Sequence, residues 1–216
     1  MVAPKQRLRD VRQPRFALDA TVIDLCQSRY RWAGFRRHKS GIRLHILWDQ
    51  QCHAPVVALM TPADVRELRV ARMVPLPPGS ILCVDRGYLD FALFWELWHG
   101  QQITVMTRPK CNLQFRILQR RKVKRSTGVT SDHVIRLTGT RSRWLYPEPL
   151  RHIRYVDPED GQVWTVLTTN LEMPAVTIIE LYRERWQIEL FFRWIKQNLK
   201  IKSFYGRTPN AVLWQI

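Results

Sequence analysis

One stretch limits the possible folds more than any other. From Pro174 onward the chain reads as a single helix of roughly 25 residues, with proline near its first turn, where a missing N–H costs nothing. Tyr182, Arg185, Glu189 and Lys196 follow one another at intervals of three, four and seven residues. At about 100° per residue they fall within an arc of about 60°, a narrow polar stripe. The rest of the circumference is largely apolar: Ile179, Leu181, Trp186, Ile188, Leu190, Phe191, Phe192, Trp194 and Ile195. A surface helix is polar over most of its girth, so this one is expected to be mostly covered, its ionic stripe facing a cleft. A ladder of helical Arg-Glu-Lys salt bridges has the same spacing. On the helix alone the two readings stand equal.

The material to cover such a helix lies upstream. Phe16-Ala-Leu18-Asp19-Ala20 and Ile42-Arg-Leu44-His-Ile46-Leu-Trp48 alternate apolar residues with period two, and Pro55 to Met60 is a short apolar run. Ala63 to Met73 reads as a helix, Ser80 to Val84 as a buried strand, Leu89 to His99 as an apolar helix and Ile103 to Thr107 as a strand. Three strands followed by helix, strand, helix and strand predict an α/β fold, a mixed sheet flanked by helices. Residues 108–170 change character, with short β-like pieces (Val134–Leu137, Ile153–Val156, Val163–Thr168) and turn signals such as Asp157-Pro-Glu-Asp-Gly161. The expected organisation is a core in residues 1–107, a β-rich basic insertion in 108–170, and a catalytic helix with the end of the core in 171–216.

Charge narrows the function. The chain carries a formal net charge of +17. Residues 1–43 hold eleven basic and three acidic side chains, and residues 107–154 hold thirteen and two, while the remaining stretches are near neutral. Two basic blocks of this kind form an electrostatic footprint for a polyanion, and nucleic acid is the expected partner. Cys26, Cys52, Cys83 and Cys111 lie 25 or more residues apart and the six histidines are scattered, so packing thiols are expected rather than a zinc site. With no apolar run near the ~20 residues that cross a bilayer and no secretory pattern at the start, the expectation is a cytoplasmic protein without membrane contact.

Two aspartates sit where carboxylates are costly. Asp19 lies within the first strand, and Asp85 ends the buried strand Leu82-Cys-Val-Asp85. Adjacent strands can bring them together, and the helical stripe can add Glu189. Three carboxylates at one point repel unless they hold cations, and hard oxygen donors suit Mg²⁺ or Mn²⁺. Two such ions about 3.5–4 Å apart serve phosphodiester cleavage.

These residues also carry a resemblance. Tyr182, Arg185, Glu189 and Lys196, with Trp186 and Phe191-Phe192-Arg-Trp-Ile-Lys196-Gln197, are similar to the Tyr-Arg-Glu-Lys signature of insertion-sequence transposases of the fourth (IS-four) family. Asp19-Ala-Thr-Val-Ile-Asp24 and Asp85-Arg-Gly-Tyr88 resemble the segments with that family's first two catalytic aspartates. Ile201-Lys-Ser-Phe204-Tyr-Gly206 and Asn210-Ala-Val212 also look like family sequence. The resemblance implies a ribonuclease-H-like domain of the DDE type. Asp19, Asp85 and Glu189 are then the catalytic residues and the ligands of two Mg²⁺ (Mn²⁺ as substitute). Tyr182, Arg185 and Lys196 hold DNA phosphates. Trp164 or Trp144 stacks on a base displaced beside the cut, against a commoner core role for either. The implied activity is DNA cleavage and strand transfer at insertion-sequence ends by a homodimer on paired ends, associated with the bacterial nucleoid. The first Asp comes at residue 19 and the last helix is barely begun at the end, so a truncated catalytic core is expected. The alternative is a non-catalytic DNA-binding remnant that interferes with a full-length enzyme.

Other polar residues have plainer expected roles. Asp24 and Asp49 are expected at the surface or in turns, and His45 as a hydrogen-bonded structural histidine. Arg36-Arg37-His38-Lys39 reads equally as a phosphate contact or a solvated loop.

Overall fold

The computed structural model describes residues 8, 10–26, 28–36, 39–198, 206 and 208–213. Residues 201–205 of the family-like downstream segment, and Arg37 and His38, lie outside the described residues. The chain divides into two compact units, one of residues 1–16 and 75–185, the other of 17–74 and 186–216.

In the second unit, β1 (Arg15–Leu25) neighbours β3 (Lys39–Asp49), which also pairs antiparallel with the short β2 (Gly34–Arg36) and with β4 (Ala54–Pro62). Alternation in β3 sends Ile42, Leu44, Ile46 and Trp48 to one face, where they meet Ala17 and Ile23 of β1. The helix α5 (Trp186–Asn198) closes this core with Ile188, Phe192 and Ile195, and Phe191 packs on Trp48 with ring centroids 5.0 Å apart. The helix α1 (Glu67–Ala71) is shorter than its sequence pattern suggests, and α6 (Pro209–Leu213) is the last element.

The first unit is a mixed sheet in the order β5-β6-β10-β9-β8-β7. Here β5 (Ile81–Val84) and β6 (Thr104–Thr107) run parallel, joined by α2 (Phe91–Gln101). The strands β7 (Phe115–Arg120), β8 (Val129–Leu137), β9 (Leu150–Val156) and β10 (Val163–Thr168) continue it antiparallel, with β10 against β6. Helix α2 starts where the Asp90 side chain accepts from Leu93 N at 2.8 Å. A four-residue helix, α3 (Ser142–Leu145), lies between β8 and β9, and α4 (Ala175–Glu184) follows β10. Ile178, Ile179, Leu181 and Tyr182 of α4 are buried against Ile81, Cys83, Met106 and Val166. The α/β class with a mixed sheet and flanking helices is as expected.

The helix expected from Pro174 onward is two helices. At Arg185 the backbone keeps helical angles (φ −53°, ψ −29°), but its N–H bonds Tyr182 O at 3.2 Å, a tighter i−3 bond that ends α4. The boundary between the units falls between Arg185 and Trp186.

Candidate active site

In the first unit the parallel strands β5 and β6 end side by side. Asp85 directly follows β5 and is partly exposed; Thr107, ending β6, donates from Oγ1 to the Asp85 carbonyl at 3.1 Å. A 3₁₀ turn over Arg86–Tyr88 carries the chain away, with Tyr88 N bonded to Asp85 O at 3.0 Å. The backbone around the candidate carboxylate is thus held on both sides while its side chain retains access to solvent.

Helix α4 is tied to the same strand end. Tyr182 is fully buried and its hydroxyl donates to Val84 O at 3.3 Å, one residue before Asp85. Cys83 Sγ contacts Leu181 O at 3.7 Å. Burial pushes the Tyr182 phenol well above its ordinary range; Arg185 pulls it down, and Asp85 pushes it up in turn. The phenol is therefore a neutral hydrogen-bond donor at any physiological pH. The Arg185 guanidinium lies 5.8 Å from the Tyr182 ring centroid and the Trp164 indole meets that ring edge-on at 6.4 Å. Arg108, directly after β6, lies over Trp164 at 5.5 Å. Four groups named from the sequence, Asp85, Tyr182, Arg185 and Trp164, thus come together in one unit.

Arg108 was not singled out by sequence reasoning. The available signal was positional: Arg108 follows β6 as Asp85 follows β5, and parallel neighbours end at the same edge. Arg86, Arg108, Lys110, Phe115, His152 and Thr165 line a cavity of about 270 Å³ on this side of the sheet. His152 stacks on Phe115 at 5.1 Å, and burial, then the charge of His133, lowers its pKa so that the imidazole stays neutral.

The second unit holds the other named residues. Asp19 lies midway along β1, half-buried, with Oδ1 accepting from Ala20 N at 2.8 Å. Glu189 is in the first turn of α5, half-buried, where the helix N-terminus favours a carboxylate, and Lys196 is exposed in the last turn. All three candidate carboxylates keep some solvent access and offer hard oxygen donors, the chemistry that fits Mg²⁺ or Mn²⁺. Among the described residues no three His, Cys, Asp or Glu side chains gather closely enough to hold a metal ion.

The plainer expectations resolve residue by residue. Asp49 caps a turn, accepting from Gln51 N at 2.7 Å and Cys52 N at 3.0 Å, and Asp24 is exposed. His45 is buried with Nε2 at 3.0 Å from Thr61 Oγ1, and burial first, then Arg43, lowers its pKa to about 4. The cysteines are free thiols. Trp164 is half-buried at the margin of the core, but Trp144 is 75% exposed, which overturns the commoner core role for that residue. No helix among the described residues is long and apolar enough to cross a membrane.

Known proteins are similar to this sequence. A protein of Sinorhizobium fredii named "Putative transposase y4zB" is 34% identical over 216 residues, covering 98% of this chain and 60% of that protein. The "Probable transposase for insertion sequence element IS5377" of Geobacillus stearothermophilus is 26% identical over 219 residues, covering 98% and 56%. The chain therefore spans somewhat under two thirds of these relatives' lengths. Among solved structures, the Endonuclease V of Streptomyces avermitilis aligns over 85% of this chain and 82% of its own, with TM-score 0.36 and 9% identity. The transposase DDE domain family matches residues 11–216. The chain belongs to that family, and its Tyr182, Arg185, Glu189 and Lys196 stand in the signature spacing of the IS-four group.

Proposed function

We propose that this chain is the catalytic part of an insertion-sequence transposase, acting on DNA in the bacterial cytoplasm at the nucleoid, as a homodimer on paired transposon ends. The observation that carries the reading is the set of groups around the end of β5: Asp85, with Tyr182 bonded to the preceding carbonyl, Arg185 and Trp164 about the Tyr182 ring, and Arg108 over Trp164. A carboxylate at a strand end, with guanidinium groups and flat rings gathered in the same unit, suits a phosphodiester and its bases.

Asp19, Asp85 and Glu189 would hold two divalent ions, Mg²⁺ by donor hardness. When bound, such a pair supplies an activated water and neutralises the leaving oxygen. The chain's own residues do the rest. Arg185 and Lys196 bind phosphate oxygens, Arg as a planar fork and Lys as a point charge. Tyr182, neutral and anchored to Val84 O, keeps α4 fixed against the strand that presents Asp85. Trp164 offers its indole to an unstacked base beside the cut. The basic insertion, residues 108–170, draws the duplex towards the strand ends by its charge.

The test is nicking of DNA bearing the element's terminal repeats. Purified protein is expected to nick in Mg²⁺, and Asp19→Ala, Asp85→Ala and Glu189→Ala are each expected to abolish it. Nicking that survives these substitutions overturns the triad. Salt-sensitive binding without cleavage in either metal favours the non-catalytic remnant.

A further inference from the structure

The insertion carries a second set of nucleic-acid-type groups that the catalytic reading does not use. Trp144, on the four-residue helix α3, is 75% exposed, the most exposed of the protein's large apolar side chains among the described residues. Full solvation of an indole is costly: about 25 cal/mol per Å² of apolar surface, over a side chain of roughly 200 Å². The neighbouring Arg143 guanidinium lies 5.3 Å from its ring centroid, so one face carries a cation while the other faces water. Two residues before it, Arg141 opens a trough of about 560 Å³, whose lining includes Lys110, Asn112, Gln114, Arg141 and Ser142. Its carboxylate, Asp90, caps α2 through Leu93 N. Lys110 and Leu113 also line the cavity of Arg86 and Arg108, so one cationic track runs from the end of β5 to the foot of α3.

We infer that this track, from Lys110 through Arg141 to Trp144, is a binding channel for a single DNA strand that meets the Tyr182–Trp164 group only at Arg108. Three features select an unpaired strand. Separate cations along a trough follow a backbone, and amide and hydroxyl groups between them suit sugar and base edges without demanding a sequence. An open indole face engages a base whose own face is free, which a duplex offers only at its ends. The inference rests on the DNA reading above and adds the form of DNA that the insertion holds.

The experiment measures fluorescence anisotropy of a labelled single-stranded oligodeoxynucleotide of about 16 nucleotides, and of its duplex, in EDTA. Trp144→Ala, at an exposed site where folding is unaffected, is expected to weaken single-strand binding roughly 5- to 100-fold and to leave duplex binding within about twofold. Trp144→Phe is expected to restore most of the loss. Lys110→Gln and Arg141→Gln are each expected to reduce the slope of log affinity against log salt on single strands by about 0.7. Unchanged single-strand binding in Trp144→Ala, or an equal loss on both forms, overturns the channel. Because EDTA removes metal, that outcome leaves the cleavage reading intact. Loss of metal-dependent nicking in the triad variants, conversely, does not bear on the channel.

Discussion

Replacing Asp132 by Ala strips the partner from a guanidinium that has almost no solvent of its own. Arg151 on β9 and Asp132 on β8 are 3% and 5% exposed, joined by Nε to Oδ1 at 2.8 Å and Nη2 to Oδ2 at 2.6 Å. Arg151 Nη1 also donates to the Met173 carbonyl, immediately before the proline that opens α4. The pair therefore ties two strands of the insertion to the base of the helix bearing Tyr182 and Arg185. Each hydrogen bond to a charged partner contributes about 1.5–3 kcal/mol net, so losing two costs about 3–6 kcal/mol. Removing one member of a buried ion pair costs about 3–5 kcal/mol, and the two routes agree. Against a typical total of about 5–15 kcal/mol, Asp132→Ala is expected to bring this unit close to unfolding at 37 °C. Urea unfolding followed by tryptophan fluorescence reads the loss as a lower midpoint at unchanged slope. Asp132→Leu combined with Arg151→Met removes both charges and is expected to recover most of it. A loss under about 1 kcal/mol, the range of a solvated pair such as Arg43–Glu67 at 3.6 Å, refutes the reasoning, as does a double variant no better than the single one.

Three other substitutions follow from the structure. The His45 pKa is about 4 in the folded chain against about 6.5 when unfolded, so its neutral form contributes stability above pH 6.5 that is lost as pH falls through 4. The full effect is about 3 kcal/mol, and His45→Gln is expected to flatten the acid limb of a stability–pH curve measured between pH 7 and 4; an unchanged limb refutes it. Gly128, which precedes β8, has φ +84°, and a Cβ there lies 2.4 Å from Tyr155 Cε2 and 2.7 Å from the Val156 carbonyl. Gly128→Ala is expected to cost about 2–4 kcal/mol by thermal or urea unfolding, whereas Gly79→Ala, also at positive φ but with open space around it, costs about 1 kcal/mol.

How far the sequence could be read depends on what each signal measures. Alternation in Ile42–Trp48 reports burial of one face, and β3 buries that face. The run Ser80–Val84 reports burial on both faces, and β5 is buried throughout. Strand β7 escaped because it has neither signal. Phe-Arg-Ile-Leu-Gln-Arg is exposed along nearly its whole length at the sheet's edge, where basic side chains discourage further pairing and erase the pattern. The same logic explains Arg108: a cation after a strand has no periodicity to reveal it, and only knowing which strand lies beside β5 makes it a neighbour of the candidate site.

The helical stripe shows the limit of periodicity most clearly. Angular position says which side chains share a face, not which face is covered. Tyr182 and Arg185 are buried while Lys196, on the same projected stripe, is exposed. On α5, two apolar rows differ by a fraction of a turn: Ile188, Phe192 and Ile195 enter the core, while Trp186, Leu190 and Trp194 are 46%, 45% and 55% exposed. A mean hydropathy summed around the helix treats the rows alike, although only the first meets β1 and β3. The spacing from Tyr182 to Lys196 crosses the tightened turn at Arg185, with Tyr182 and Arg185 in one compact unit and Glu189 and Lys196 in the other. A projection at a fixed angle per residue holds only along one regular helix, so the burial of each member of the stripe is set by what packs on its own helix rather than by its place in the projection.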